Sequence, residues 1–131
     1  MDAGAINGSP VVVKGDAEEL RTAISNMLDN AIKYSEKDVQ VSVRFEPATQ
    51  RRVLLRVSDR GVGIPPQELK RIFKRFYRVP NRALAKVKGT GLGLFIVRSI
   101  AARHGGKVFA ESAGEGQGTT VTLQLPRSMT Q

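Results

Sequence analysis

The chain has 131 residues and predicts one domain of mixed α/β (α+β) class, with three helices and about five strands. Two segments, Val39–Phe45 and Thr119–Leu125, alternate apolar with polar residues, which is the period of a half-buried strand. A third segment, from Asp16 to about Tyr34, repeats apolar residues at helical spacing. Helical and strand periods therefore occur together within the length of a single domain.

The five predicted strands comprise one hairpin and three further segments. "RVLLRVS" follows Val39–Phe45 across a turn-like stretch, so these two are predicted to pair. "KVFAES" precedes Thr119–Leu125, and "PVVVKG" near the N-terminus can form a strand. The domain is predicted to cover residues 11–126. Residues 1–10 are small and polar and are expected to be disordered or vector-derived, and residues 127–131 to be a tail.

Each predicted helix carries a start or stop signal. Asp16 is a residue type that commonly caps the N-terminus of a helix, here the first predicted helix. Two glutamates follow it in the first turn, where negative charge suits the helix dipole. Pro65 and Pro66 begin the second helix, "PQELKRIFKRFY", because proline is accepted in a first turn. Four apolar residues share one face of this segment: Leu69, Ile72, Phe73 and Phe76. The third helix is predicted from about Leu92 to Arg103, ending at "HGG".

Composition favours anionic partners and excludes thiol chemistry, because the formal net charge is +9 and there is no cysteine. No run approaches the ~18 apolar residues of a membrane span, and a signal-peptide layout is absent, so a cytoplasmic domain is expected. Residues 70–88 hold eight basic residues and no acidic one. Charge alone does not distinguish a solvated basic face from an anion-binding segment.

The first helix has a polar face opposite its apolar stripe. Asn26, Asn30 and Lys33 fall within roughly 60° of one another at 100° per residue. They are either solvated side chains or a ligand site. In the second interpretation Asn30 supplies a neutral oxygen to Mg²⁺, phosphates supply other ligands, and Lys33 offsets phosphate charge.

Two glycine-containing stretches also allow two interpretations. In "SDRGVGIPP", Asp59 with Gly61 and Gly63 forms either an ordinary turn or a site where a carboxylate accepts a hydrogen bond from a purine amine. "GTGLGLFIV", from Gly89 to Val97, matches neither the P-loop nor the dinucleotide spacing. It is either a linker before a buried helix or a bare backbone that binds phosphate at a helix start.

In their order along the chain, these stretches resemble the ATP-binding domain of sensor histidine kinases, in the GHKL superfamily. "NMLDNAIKYS" looks like the N box, "DRGVGIP" the first glycine box, "IFKRFYR" the F box, "GTGLGL" the second glycine box and "GEGQGTT" the last. The resemblance implies a Bergerat-type two-layer sandwich, a mixed sheet under three helices, with an ATP lid over about residues 79–88.

The resemblance also implies which residues bind Mg·ATP. Those on the adenine side are Tyr34, Asp59, Gly61, Gly63 and Ile64, with support from Thr119 or Thr120. Those on the phosphate side are Asn26, Asn30, Lys33, Arg78, Gly89, Thr90, Gly91, Leu92, Gly93 and Leu94, and Phe76 and Tyr77 belong to the F box beside Arg78. Lys88 stands where the family often has a small residue, and it either tightens phosphate binding, docks an acidic partner or has no role. The implied catalytic residues are Asn30, Lys33 and Arg78, and Asn30 is the implied metal ligand.

The implied function is transfer of the ATP γ-phosphate to a histidine on a separate dimerisation domain, with a response regulator downstream. The single histidine, His104, lies in "RHGGK", which is similar to a structural turn of the family, so the kinase is expected to be incomplete by itself. The parent protein is expected to be an inner-membrane sensor, and the isolated domain a monomer. Other interpretations are another GHKL ATPase, a serine-directed anti-sigma kinase, a degenerate kinase, or a basic nucleic-acid-binding module.

Overall fold

The computed structural model describes residues 2–6, 9–35, 39–49, 51–79, 91–114 and 116–128. In chain order, its strands and helices are β1 (Asp2–Ile6), β2 (Ser9–Val12), α1 (Ala17–Lys33), β3 (Val41–Thr49), β4 (Arg52–Asp59), two 3-10 turns (Pro66–Glu68 and Arg71–Phe73), α2 (Gly93–Arg103), β5 (Lys107–Glu111) and β6 (Thr119–Pro126).

Four antiparallel strands form the main sheet, in the order β3-β4-β6-β5. In its middle, Val57 of β4 lies between Val43 of β3 and Val121 of β6. The predicted α/β sandwich is confirmed, but the sheet is antiparallel throughout and has four strands where a mixed sheet of about five was expected. The remaining strand, β2, pairs with β1 in a separate two-stranded sheet.

The β1–β2 pair includes residues that were expected to be either disordered or vector-derived. Asp2–Ile6 forms a strand although its sequence, DAGAI, consists mainly of small residues. Strands pair through their backbone N–H and C=O groups. Asp2–Ile6 can therefore pair with the nearby strand Ser9–Val12 although its sequence has no alternating apolar pattern.

Helix α1 has the predicted N-cap, since the Asp16 carboxylate accepts a hydrogen bond of 3.1 Å from the Glu19 N–H. Its apolar stripe is buried against the sheet and α2, at Leu20, Ala23, Met27 and Ala31. Helix α2 ends as predicted before glycine, where Gly105 has a φ of +72°. No described helix is long and apolar enough to cross a membrane.

The predicted second helix exists only as the two 3-10 turns. Lys74 has extended backbone angles that end the second turn. Ile72 and Phe73 are buried, but Phe76 has a φ of +62° and is 64% exposed. The four apolar residues therefore do not share one helical face, because the chain turns after Phe73 to bring its backbone to the start of α2.

His104 is structural, as predicted. Its Nε2 accepts a hydrogen bond of 3.0 Å from the Asp16 N–H, and its Nδ1 lies 2.8 Å from the Ile100 carbonyl oxygen, to which it donates. The ring thereby joins the end of α2 to the start of α1. Arg103 and Glu19 form a bidentate ion pair beside it, at 2.9 and 3.1 Å.

Candidate functional site

A cavity of about 320 Å³ lies between α1, the turn after β4, the segment after the 3-10 turns and the start of α2. Its lining comprises Asn26, Asp29, Asn30, Lys33, Tyr34, Val62, Gly63, Ile64, Ile72, Tyr77, Arg78, Val79, Gly91, Leu92, Gly93, Leu94 and Ile96. Twelve of the residues that the sequence singled out are thus brought together, although they come from four separate stretches of chain.

The polar face of α1 forms one wall of the cavity. Asn26, Asn30 and Lys33 all line it, as predicted from their shared face. Asp29 also lines it and was missed. Its position three residues after Asn26 is helical spacing on the same face, so the sequence did hold a signal for it.

The first glycine turn forms a second wall, and α1 holds it in place. Val62 donates a backbone hydrogen bond of 3.2 Å to the Tyr34 carbonyl oxygen at the end of α1. Gly63 has a φ of +72°, and a Cβ there would collide with the Gly114 carbonyl oxygen. Only glycine can therefore take this position without moving the loop after β5.

Ser112 in that loop braces the same turn. Its hydroxyl oxygen accepts a hydrogen bond of 3.1 Å from the Ile64 N–H and donates one of 2.7 Å to the Gly118 carbonyl oxygen. Gly116 adds a backbone bond of 2.6 Å to the Val62 carbonyl oxygen. The last glycine box thus supports the first one, a role that the sequence did not reveal.

Asp59 lies beside this turn without lining the cavity. Its Oδ1 accepts a hydrogen bond of 2.8 Å from the Gly61 N–H, and the Thr119 backbone N–H donates to its carboxylate. Burial raises the pKa of Asp59, and these two hydrogen bonds only partly oppose that effect. Asp59, Thr119 and Thr120 line a second, more open cavity of about 330 Å³, while Gly61 lines neither.

The F-box segment is split between the solvent and the cavity. The Phe76 side chain is exposed and does not line the cavity, whereas Tyr77 and Arg78 do. Phe76 contributes through its backbone, since its N–H donates a hydrogen bond of 3.0 Å to the Gly91 carbonyl oxygen. A Cβ on Gly91 would come within 2.8 Å of the Phe76 backbone, so glycine permits this approach.

The start of α2 completes the site. Gly91, Leu92, Gly93 and Leu94 line the cavity, and the Asn26 side-chain amide donates a hydrogen bond of 3.3 Å to the Gly93 carbonyl oxygen. No described side chain caps this helix. Its first N–H groups and positive dipole end therefore favour an anion nearby.

Several predictions about the second glycine box and the lid lie outside the described residues. These are the residues Lys88, Gly89 and Thr90 and all of the 79–88 lid except Val79. Val79 itself lines the cavity.

Apolar side chains that the sequence did not mark as site residues also contact the cavity. They are Val62, Ile72, Val79 and Ile96. Such residues look like core residues in a sequence, because nothing local tells a cavity wall from a packed interior.

The cavity combines a cationic polar side with an apolar side, which suits a ligand that has a flat base and phosphates. Lys33 and Arg78 supply positive charge, and Asp29 and Asn30 supply oxygen atoms. The described residues contain no group of three or more His, Cys, Asp or Glu side chains that could hold a metal ion. A cation in this cavity would therefore need oxygen ligands from the bound molecule.

Comparisons with known proteins agree with this geometry. The family described as "Histidine kinase-, DNA gyrase B-, and HSP90-like ATPase" matches residues 15–129. The sensor histidine kinase YkoH of Bacillus subtilis (strain 168) is 42% identical over 115 residues, which are 88% of this chain but 24% of YkoH. The chain thus spans about a quarter of the length of this curated relative.

Solved structures give the same result. The mycobacterial sensor histidine kinase MprB superposes with a TM-score of 0.79 at 36% identity, over 90% of this chain and 76% of that one. Full-length ShkA in complex with AMPPNP superposes with a TM-score of 0.74 at 30% identity, over 90% of this chain and 23% of that one. The chain belongs to the family of histidine kinase-, DNA gyrase B- and HSP90-like ATPases, and is an ATP-binding domain of the sensor histidine kinase type.

Proposed function

We propose that this domain binds Mg·ATP and presents the γ-phosphate to a histidine on a separate phospho-acceptor domain. The observation that carries the proposal is the meeting of Asn30, Lys33 and Arg78 with the start of α2 around one cavity. Positive charge and a helix start together favour the phosphates. The complex of the related kinase ShkA with AMPPNP supports ATP as the nucleotide.

The adenine is assigned to the side of the cavity that contains Gly63, Ile64 and Tyr34. Val62 and Ile64 add apolar side chains to this side, which suit the face of a flat base. Asp59, which hydrogen-bonds to Gly61 beside this turn, is proposed to accept a hydrogen bond from the adenine amine. In this proposal Thr119 or Thr120 supports Asp59 from the neighbouring strand β6.

The phosphates are assigned to Lys33, Arg78 and the backbone of Gly91–Leu94. Asn26 holds this backbone through its bond to Gly93. Asn30 is proposed as the protein ligand of Mg²⁺, and its oxygen donor suits this hard cation when phosphates supply other ligands. When bound, Mg²⁺ would neutralise phosphate charge.

In the proposed transfer, a histidine ring nitrogen of the acceptor domain attacks the γ-phosphorus in line with the leaving β-phosphate oxygen. An N–P bond forms, the P–O bond breaks, ADP leaves, and the other ring nitrogen loses its proton to solvent. This domain contributes orientation and charge stabilisation through Lys33 and Arg78.

We further propose that this chain is the cytoplasmic domain of a membrane-anchored sensor, which passes phosphate to a response regulator. The isolated domain is proposed to be a monomer.

Calorimetric titration with ATP, ADP and GTP, with and without Mg²⁺, tests the proposal. We expect saturable binding of ATP and ADP at concentrations on the order of 1 mM or below, and at least about tenfold weaker binding of GTP. Asn30→Ala should remove the gain in ATP affinity that Mg²⁺ provides. Absence of binding at millimolar nucleotide, or equal binding of GTP, would contradict the assignment.

A further inference from the structure

Glu68 is a buried acidic residue that the nucleotide assignment leaves unexplained. It ends the first 3-10 turn, and only 6% of its surface is exposed. Acidic side chains are rarely this buried unless a partner compensates the lost hydration. The question is therefore what this carboxyl group holds.

Two side chains approach the Glu68 carboxyl group. The Tyr77 hydroxyl donates a hydrogen bond to its Oε2. Arg71 Nη1 lies 3.6 Å from its Oε1, and the Arg71 side chain is 55% exposed. Solvent screens the charge of Arg71 because that side chain is more than half exposed, so Tyr77 is the stronger partner of Glu68. The hydrogen bond to Glu68 also raises the pKa of Tyr77.

The Glu68–Tyr77 bond connects two walls of the nucleotide cavity. Glu68 follows the Gly63–Ile64 wall after two prolines, which restrict the intervening backbone. Tyr77 belongs to a different stretch of the lining, next to Arg78. The residue before it, Phe76, is bonded through its backbone to Gly91 at the start of α2. One partly buried hydrogen bond thus links the proposed adenine side to residues on the proposed phosphate side.

We propose that Glu68 is a positioning residue for nucleotide binding, which holds Tyr77 in the cavity wall and thereby keeps Arg78 and Gly91 in place. The inference rests on the proposed function, because the position of Tyr77 matters for binding only if the nucleotide occupies this cavity. Glu68 itself touches no nucleotide atom in this role.

A double-mutant cycle measures the coupling, with ADP affinity determined by calorimetry for Glu68→Ala, Tyr77→Phe and the double variant. Each single variant should bind ADP about tenfold more weakly, because each removes the same hydrogen bond to the Glu68 carboxyl group. The double variant should be no weaker than the weaker single variant. Additive losses, or unchanged affinity in Glu68→Ala, would overturn the proposal.

Two further variants separate positioning from a general effect on folding. Glu68→Gln keeps an oxygen that accepts the Tyr77 hydrogen bond, so it should restore ADP affinity to within about twofold of the parent. Glu18→Gln removes a carboxylate that is 88% exposed and pairs with the exposed Arg21, so it should leave ADP affinity unchanged. If Glu68→Gln lost as much affinity as Glu68→Ala, the geometric role of the hydrogen bond would be refuted.

Tyrosine absorbance gives a readout that does not depend on nucleotide. The chain has two tyrosines and no tryptophan, so a Tyr34→Phe background leaves Tyr77 as the single tyrosine. Alkaline titration at constant temperature should show a lower Tyr77 pKa after Glu68→Ala, with Arg71 still present in both proteins. A parent domain that shows this shift but binds no nucleotide would refute the proposed function, and with it the positioning role. If the parent domain binds nucleotide but Glu68→Ala does not lower the Tyr77 pKa, only the positioning role of Glu68 is refuted.

Discussion

Asp59, the residue proposed to accept the adenine amine, illustrates how a partly buried carboxylate lowers the stability of the fold. Its carboxylate accepts hydrogen bonds from two backbone N–H groups, yet burial still raises its pKa. The folded state therefore retains a proton to higher pH than the unfolded chain does. The stability that this group contributes is present below its ordinary pKa of 3.8 and is lost as the pH rises through the raised value. At neutral pH the charged form weakens the fold.

Asp59→Asn should therefore separate stability from binding. We expect the variant to be more stable than the parent at pH 7, by at most about 1 kcal/mol because the group is only half-buried. The difference should shrink as the pH falls toward 3.8. Urea unfolding at several pH values measures it. A variant that loses stability at pH 7 would show that the carboxylate's hydrogen bonds outweigh its burial.

The same substitution should weaken adenine nucleotides far more than Asn30→Ala does when no Mg²⁺ is present. The reason is that Asp59 is assigned to the adenine and Asn30 to the metal and phosphates. Calorimetry in metal-free buffer compares the two variants. Equal losses of affinity in that buffer would contradict this division of roles.

At the scale of elements, the site is held together by loops that brace one another. In the turn after β4, the Ile64 N–H donates a hydrogen bond to the Ser112 hydroxyl oxygen, and the Val62 carbonyl oxygen accepts one from the Gly116 N–H, both in the loop between β5 and β6. The end of α1 supports the same turn through the Tyr34 carbonyl oxygen. The β5–β6 loop and the end of α1 thus together set the position of one glycine turn.

Ser112→Ala should loosen this turn. The Ile64 N–H and the Gly118 carbonyl oxygen each lose a partner, so we expect a loss of about 1–2 kcal/mol in unfolding free energy. Adenosine and ADP should lose affinity by a similar factor, because the proposed defect lies on the adenine side. Ser25→Ala, at an exposed position on α1, is the matched control for both measurements. A stable Ser112→Ala variant with unchanged binding would show that the brace is dispensable.

At the scale of the whole molecule, the two α-helices are joined to each other and cover one face of the sheet. Their buried residues, among them Met27 and Val97, belong to the same core cluster as Val57 and Leu123 of the sheet. His104 and Arg103 tie the end of α2 to the start of α1 through Asp16 and Glu19.

His104→Ala should destabilise the domain by about 1–3 kcal/mol, because it removes two hydrogen bonds and a packed ring. ADP affinity should not change, since His104 does not line the cavity. Arg103→Gln removes only the ion pair with Glu19, which is more exposed than the His104 ring. It should lower the unfolding free energy by less than about 1 kcal/mol. Thermal and urea unfolding, together with calorimetry, provide the comparison. Phosphate on His104 after incubation with ATP, at the rate of an intact kinase, would contradict its structural role.

Sequence by itself determined the features that depend on neighbouring residues. The Asp16 cap, the apolar stripe of α1, the β3–β4 hairpin and the end of α2 follow from local patterns, and all are present. The order of the motif-bearing stretches was enough to identify the family. Local interactions act between residues a few positions apart, so a single chain reveals them.

Only the tertiary structure decided how distant stretches meet. It brings β4 beside β6, turns Phe76 outward while its backbone bonds to Gly91, and places Asp29 in the cavity wall. It also buries Glu68 against Tyr77 and sets Ser112 beneath Ile64. Side-chain type and spacing do not encode such contacts, because their free energy depends on burial and on partners that folding brings together from far along the chain.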